Sequence, residues 1–193
     1  MGEPAAWYWR DAPSFADLFS GYYTDAEPQS ALVADEDGTV VGYLLGCVDS
    51  STAWPPERVI GRALVRRALL VRPGTAGFMW RSFGDVAVDA WRRRLPPRPV
   101  VDDRWPSHLH IDLLPSARGT GVGAALVRTW LDRLRQLGVA GCHLETMAEN
   151  IGGLAFFSAM GFTSEGPPHM VPGMRTRAGA RMHVQLMTQS LGA

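Results

Sequence analysis

Leu113-Leu114-Pro115-Ser116-Ala117-Arg118-Gly119-Thr120-Gly121-Val122-Gly123 joins a strand-like run to a helix-forming one. Upstream, His108-Leu109-His110-Ile111-Asp112-Leu113-Leu114 alternates polar and apolar side chains as a half-buried strand does. Downstream, residues 121–137 repeat apolar positions at helical spacing. Between them, alternating glycines let the backbone turn successive N–H groups toward one point without Cβ interference, and the helix start adds partial positive charge. Such a turn is a cradle for a diphosphate, and Arg118 adds a full charge to it. A flexible strand–helix turn without a ligand is the plain alternative, and the glycine alternation weighs against it.

Residues 140–147 read as a second strand and close a strand–helix–strand unit. A short helix over 151–160 follows, stopped by Gly161, then strands at 162–164 and 180–188. The span between those strands holds Pro167, Pro168, Pro172 and Gly173 and reads as a mobile loop. Toward the N-terminus, Phe15, Leu18, Phe19 and Tyr22 mark an amphipathic helix over 12–23, and residues 31–34 and 39–47 flank an acidic turn, Asp35-Glu36-Asp37-Gly38, as a hairpin does. Two amphipathic helices are expected at 59–70 and 78–95, the second with Met79, Phe83, Val86, Ala90 and Trp91 on one stripe. The run Leu95-Pro96-Pro97-Arg98-Pro99 ends that block as a connector. These elements predict an α/β chain with a mixed sheet: a single domain over 1–193 with a helical insertion at 54–106.

A chain of 193 residues, 46% hydrophobic and 20% charged, can bury a core and is neither disordered nor fibrous. Nineteen basic residues balance nineteen acidic ones, which argues against a coat for nucleic acid or an anionic membrane. Every basic residue is arginine, so no lysine Schiff base or lysine nucleophile is available. Charge is uneven along the chain: one Arg and nine acids in 1–53, ten Arg and three acids in 54–98. Solvated helix faces are the plain explanation for the basic block. Cys47 and Cys142 are too few for a disulfide framework and are expected in the core, and His108, His110 and His143 have no metal-ligand spacing, so no metal is expected. The longest apolar run, 40–48, is too short to span a bilayer, and Glu3 and Asp11 stand where a signal peptide would be basic. A soluble cytoplasmic protein is expected. Trp54, Trp80, Trp91 and Trp105 could stack on nucleic acid or line an acceptor pocket; their spacing favours packing in the core.

A P-loop needs a lysine the chain does not have. Gly119-x-Gly121-x-x-Ala124 formally matches the dinucleotide pattern, but the strand before it carries His108, His110 and Asp112 on one parity, whereas a central parallel strand is nearly all apolar. It also ends at Pro115, several residues before the glycines.

The stretch 113–123 resembles motif A of the GNAT superfamily of acyl-CoA-dependent acyltransferases, whose signature is [QR]xxGx[GA]. Leu144-Glu145-Thr146, Asn150, Ala155-Phe156-Phe157 and Met160-Gly161-Phe162 resemble the family's later block in the same order and spacing. The 31–47 hairpin is similar to the family's N-terminal half, so only 54–106 lies outside the likeness. More narrowly, residues 22–28 and 108–115 resemble bacterial relatives of the acetyltransferase-like domain of O-GlcNAcase.

The resemblance implies the GNAT acyl-CoA N-acyltransferase fold and acetyl-CoA as cosubstrate. It would lie in a splay between the strands at 108–114 and 140–147, its diphosphate on Arg118, Gly119, Thr120, Gly121, Val122 and Gly123. Its pantetheine would pair near Leu113 and Leu114, and Asn150 and Phe157 would lie along it. A small-molecule or peptide amine would attack the thioester directly. Glu145 is favoured as base, with Asp112 and His110 as rivals, and a strand bulge, common in the family, would swap the faces of these last two. The family's usual general-acid tyrosine falls at Phe157, which has no proton to give. That leaves a non-catalytic acetyl-CoA-binding module as the second reading and a nicotinamide-nucleotide oxidoreductase as a third. A homodimer is left open.

Overall fold

A computed structural model describes residue 9 and residues 11–66, 68–93 and 102–192. The hairpin strands are β1 (Ala31–Glu36) and β2 (Thr39–Cys47), and the strand–helix–strand unit is β3 (Ser107–Leu113), α5 (Val122–Gln136) and β4 (Gly141–Met147). Ahead of β3 lie α1 (Ala12–Phe19), α2 (Gly21–Asp25), α3 (Pro56–Arg66) and α4 (Ala76–Trp91); after β4 come α6 (Ile151–Ala159), β5 (Thr163–Arg175) and β6 (Arg181–Ser190). The strands form one six-stranded sheet in the order β1-β2-β3-β4-β6-β5, antiparallel except where β3 lies parallel to β4. The mixed α/β architecture expected from the sequence is therefore present.

Helix α5 buries Leu126, Val127, Trp130, Leu131 and Leu134 at helical spacing against β2, β3 and β4, where they meet Leu44, Leu109, Cys142 and Leu144. Trp130 fits only because Gly46 lies beneath it: a Cβ there would stand 2.5 Å from the indole ring. Cys47 and Cys142 are both fully buried. No helix among the described residues is long and apolar enough to cross a membrane.

A second, smaller core gathers Trp9, Ala63, Leu69 and Met79 with Phe15, Leu18 and Phe78, so α1, α3 and α4 pack on one another. Helix α4 joins the sheet through polar contacts. Asp85 pairs with Arg175 (2.6 Å) and Arg181 (2.9 Å) and accepts the Gly173 N–H (2.8 Å), while Asp89 takes Arg181 at 3.2 Å.

That clamp corrects three expectations. The buried stripe of α4 is Met79, Asp85 and Asp89, while Phe83, Val86 and Trp91 face outward: paired carboxylates outcompeted the apolar stripe for the protein side. Trp80 and Trp91 are consequently exposed, as is Trp54, and of the tryptophans at 54, 80, 91 and 105 only Trp105 is buried. The Pro/Gly-rich span read as a loop is most of β5, held to β6 and to α4. The helix expected over 12–23 breaks at Ser20, whose hydroxyl turns back on the Ala16 carbonyl (2.6 Å) before Gly21 restarts it. The connector at 95–99 lies outside the described residues.

Candidate functional site

Strand β3 is paired with β2 from Gly42↔Leu113 to Cys47↔His108, and β4 with β6 from Gly141↔Ser190 to Met147↔Val184. Between themselves β3 and β4 pair only at Ser107↔Cys142 and His108↔His143. Each is held on its outer side, so the two diverge beyond His108 and His143 and leave the inner edge of residues 109–113 without a strand partner among the described residues. Leu113 sits between Gly42 and Gly123; a Cβ on Gly123 would stand 2.9 Å from Leu113 Cδ1.

The glycine turn opens at the same end of β3. Gly119 (φ 78°) and Gly121 (φ 92°) take left-handed backbone that other residues adopt only under strain, and nothing stands within 4 Å of where a Cβ would point at either. Thr120 Oγ1 donates to the Ala117 carbonyl at 2.7 Å and pins the turn. Among the described residues, the N–H groups of residues 119–124 meet no backbone carbonyl; the next, Ala125, bonds Gly121 at 3.0 Å and begins the ladder of α5. The Arg118 N–H instead turns inward to the Pro115 carbonyl (3.3 Å), so Arg118 offers the turn its exposed guanidinium only. Asn150 caps α6, its Oδ1 accepting the Gly153 N–H at 3.2 Å. Phe157 is buried under β4 with its ring 5.1 Å from Phe156 and 6.0 Å from Phe162.

On the sheet face away from α5, the unbroken β2–β3 register keeps His108, His110 and Asp112 on one side. The anticipated bulge is absent from that pairing, and the parallel pair His108↔His143 sets His143 and Glu145 on the same side. His108 lies between two hydroxyls, Tyr23 Oη on Nε2 and Ser50 Oγ on Nδ1, both at 2.7 Å. A neutral imidazole offers one donor and one acceptor, which two hydroxyls satisfy, and burial beside His110 and His143 pushes its pKa down to about 3. His143 donates Nδ1–H to the Trp105 carbonyl (2.8 Å), and burial lowers its pKa too. His110 is reached by solvent yet crowded by protein, which disfavours its cation against the pull of Asp112.

The two carboxylates differ in what holds them. Asp112 accepts the Tyr43 hydroxyl at 3.0 Å; burial first, then this carboxylate, pushes the phenol up to about 12, so it stays a donor. Glu145 is 45% exposed, and its nearest basic group is His169 Nε2 on β5 at 3.5 Å. Glu145, Asp112 and His110 thus share one face beside the splay, and among the described residues no hydroxyl engages Glu145 as Tyr43 engages Asp112. Tyr43, Tyr23, Ser50 and His169 are members of this face that the sequence did not single out. Tyr43 was legible as an alternating hairpin residue; His169 was hidden by the prolines before it.

Residues 84–162 match the family model described as acetyltransferase (GNAT) family. Among solved structures, the crystal structure of SsHAT is 24% identical, aligning all of this chain with 87% of that one at a TM-score of 0.60. The ribosomal-protein-S18-alanine N-acetyltransferase from Escherichia coli is 15% identical over 95% of this chain and 90% of that one, with a TM-score of 0.52. A GNAT superfamily phosphinothricin acetyltransferase from Sinorhizobium meliloti, solved in complex with AcCoA, is 19% identical over 95% and 69% of the two chains, with a TM-score of 0.50. The matched segment, the mixed sheet with its single parallel pair and the likeness to these structures give this chain the GNAT acetyltransferase fold.

Proposed function

We propose that the chain transfers the acetyl group of acetyl-CoA to a primary amine, small-molecule or peptide, by direct attack in a ternary complex. The observation that carries this reading is the run of backbone N–H groups over 119–124 that meet no backbone carbonyl among the described residues, in a turn exposed over 118–121 at the end of the β3–β4 splay. Acetyl-CoA, when bound, supplies the thioester carbonyl and a thiolate leaving group. The N–H groups of Gly119, Thr120, Gly121, Val122 and Gly123, with the Arg118 guanidinium, hold its diphosphate. The free edge of residues 109–113, with Leu113 and Leu114, receives the pantetheine as an added strand. Asn150 Nδ2 remains available to that arm while Oδ1 caps α6.

Glu145 takes the proton of the incoming ammonium, leaving a neutral amine to attack, with Asp112 and His110 as the rival acceptors. Phe157 cannot protonate the departing thiolate, so water or the exposed Ser158 does so. The insertion at 54–106, clamped to β5 and β6 through Asp85 and Asp89, shapes the acceptor side. Kinship with bacterial relatives of the acetyltransferase-like domain of O-GlcNAcase rests on residues 22–28 and 108–115. A phenylalanine at 157, with no proton to give the thiolate, favours one second reading, a module that binds acetyl-CoA without turning it over.

Thermal unfolding with acetyl-CoA, CoA, NADH and NADPH separates these classes. At a hundred times its Kd, a ligand selective for the native state adds about 2.7 kcal/mol, or roughly 5–10 °C in a domain of this size. The expected result is that shift with acetyl-CoA and CoA alone; stabilisation only by the nicotinamide nucleotides contradicts the proposal. Release of free thiol from acetyl-CoA with a panel of amines then distinguishes the enzyme from the silent binder.

A further inference from the structure

His169 reaches the candidate base by an irregularity in β5. Pairing with β6 runs Thr163↔Thr188, Ser164↔Met187 and Glu165↔Leu186, then resumes at His169↔Val184, so four steps along β5 are set against two along β6. Gly166, Pro167 and Pro168 fill the gap; the prolines have no N–H to give the ladder, and the strand bulges there. Leu186 lies opposite both Glu165 and Glu145, and Val184 shares its parity, so the resumed register returns His169 to the face of Glu145. From that place its Nε2 spans β6 to within 3.5 Å of Glu145 Oε1. The charged and titratable groups on this face are Glu145 and His143 from β4, Asp112, His110 and His108 from β3, and Glu165 from β5; β6 contributes Val184 and Leu186, and α4, packed on β5, commits Asp85 and Asp89 to Arg175 and Arg181.

We propose that His169 is the positioning residue of the amine-deprotonating step, its Nε2–H holding Glu145 Oε1 from the β5 side and so leaving Oε2 to the open splay between β3 and β4. The inference rests on Glu145 as base. In the step itself one proton leaves the acceptor ammonium for the Glu145 carboxylate and the amine keeps the electron pair; His169 keeps its own protons. The bulge is then the device that sets a histidine, and not Pro167, in register with the base.

The test is thiol release from acetyl-CoA by the fastest of a primary-amine panel (ethanolamine, spermidine, glucosamine, an alanyl dipeptide), compared with hydroxylamine, which is already neutral near pH 7 and needs no base. His169→Ala is expected to lower kcat with the alkylamine about tenfold, with KM for acetyl-CoA unchanged and hydroxylamine little affected. His169→Gln, whose amide N–H can still reach the carboxylate, restores most of the rate. Glu145→Gln/His169→Ala is no slower than Glu145→Gln, since His169 acts only through that carboxylate. Wild-type rates in His169→Ala, an equal loss with hydroxylamine, or a multiplied loss in the double variant overturns the positioning role while a slow Glu145→Gln leaves the base in place. A fully active Glu145→Gln, or no thiol release with any nucleophile, overturns the reading beneath it and the inference with it.

Discussion

Gly121→Val is expected to weaken acetyl-CoA binding at least a hundredfold while the protein still folds. Gly121 is the N-cap of α5 at φ 92°, where a β-branched side chain does not fit without the backbone moving. The strain costs about 1–3 kcal/mol if the turn is kept. Relaxing it swings the N–H groups of Gly121 and Val122 out of convergence. Each hydrogen bond to a charged group contributes about 1.5–3 kcal/mol, so losing two amounts to at least roughly a hundredfold in Kd. Gly38→Val is the control: Gly38 has the same kind of backbone (φ 83°), but at the tip of the β1–β2 hairpin. Calorimetric titration with acetyl-CoA should show weak or no binding to the Gly121 variant and wild-type affinity in the Gly38 variant. Equal affinity in the two removes the turn from the binding site.

The second large effect lies in the clamp between α4 and the β5–β6 hairpin. Asp85→Ala leaves Arg175 without its carboxylate, Arg181 with Asp89 alone and the Gly173 N–H without its acceptor. Removing one partner of a buried pair costs about 3–5 kcal/mol. The arginine side chains here are 22% and 35% exposed, so solvent screening reduces that to about 2–3 kcal/mol. The Asp85 carboxyl is held below its ordinary range, by the Arg175 hydrogen bond above all and against the upward push of burial. A depressed folded pKa gives stability that is full above the unfolded value, about 3.9, and is lost as pH falls through the lower folded one. Urea unfolding at a series of pH values should therefore show the gap between wild type and Asp85→Ala steady from neutral pH down to about 5 and closing below about 4. A gap that is absent at neutral pH, or that widens in acid, contradicts the clamp.

Where local pattern and tertiary packing agree, the sequence was readable. The run from 108 to 147 repeats at strand, turn and helix periods in turn, and β3, the glycine turn, α5 and β4 fall within a residue or so of those periods. The same spacing placed His110 and Asp112 on one strand and Glu145 on another, and the family resemblance implied a cleft between those strands, although only the register β2–β3–β4 shows that the three share a face. Elsewhere tertiary pairing overrode the pattern. The apolar residues of α4 announced a buried stripe, yet Asp85 and Asp89 turn inward because Arg175 and Arg181, some ninety positions later, neutralise them. Gly166-Pro167-Pro168 announced a loop, yet the chain returns to the β6 ladder at His169, and that return is what brings an imidazole beside Glu145. No local window contains either fact, since each depends on a partner distant in the chain.

Titration of 15N-labelled protein with acetyl-CoA, followed amide by amide, tests most directly whether the turn at the head of α5 seats the nucleotide. The shifts are expected to concentrate at Gly119, Thr120, Gly121, Val122 and Gly123, with a second group along 109–113 where β3 lacks a partner. Saturable binding that leaves those amides still while others move, or no binding at millimolar ligand, would contradict it.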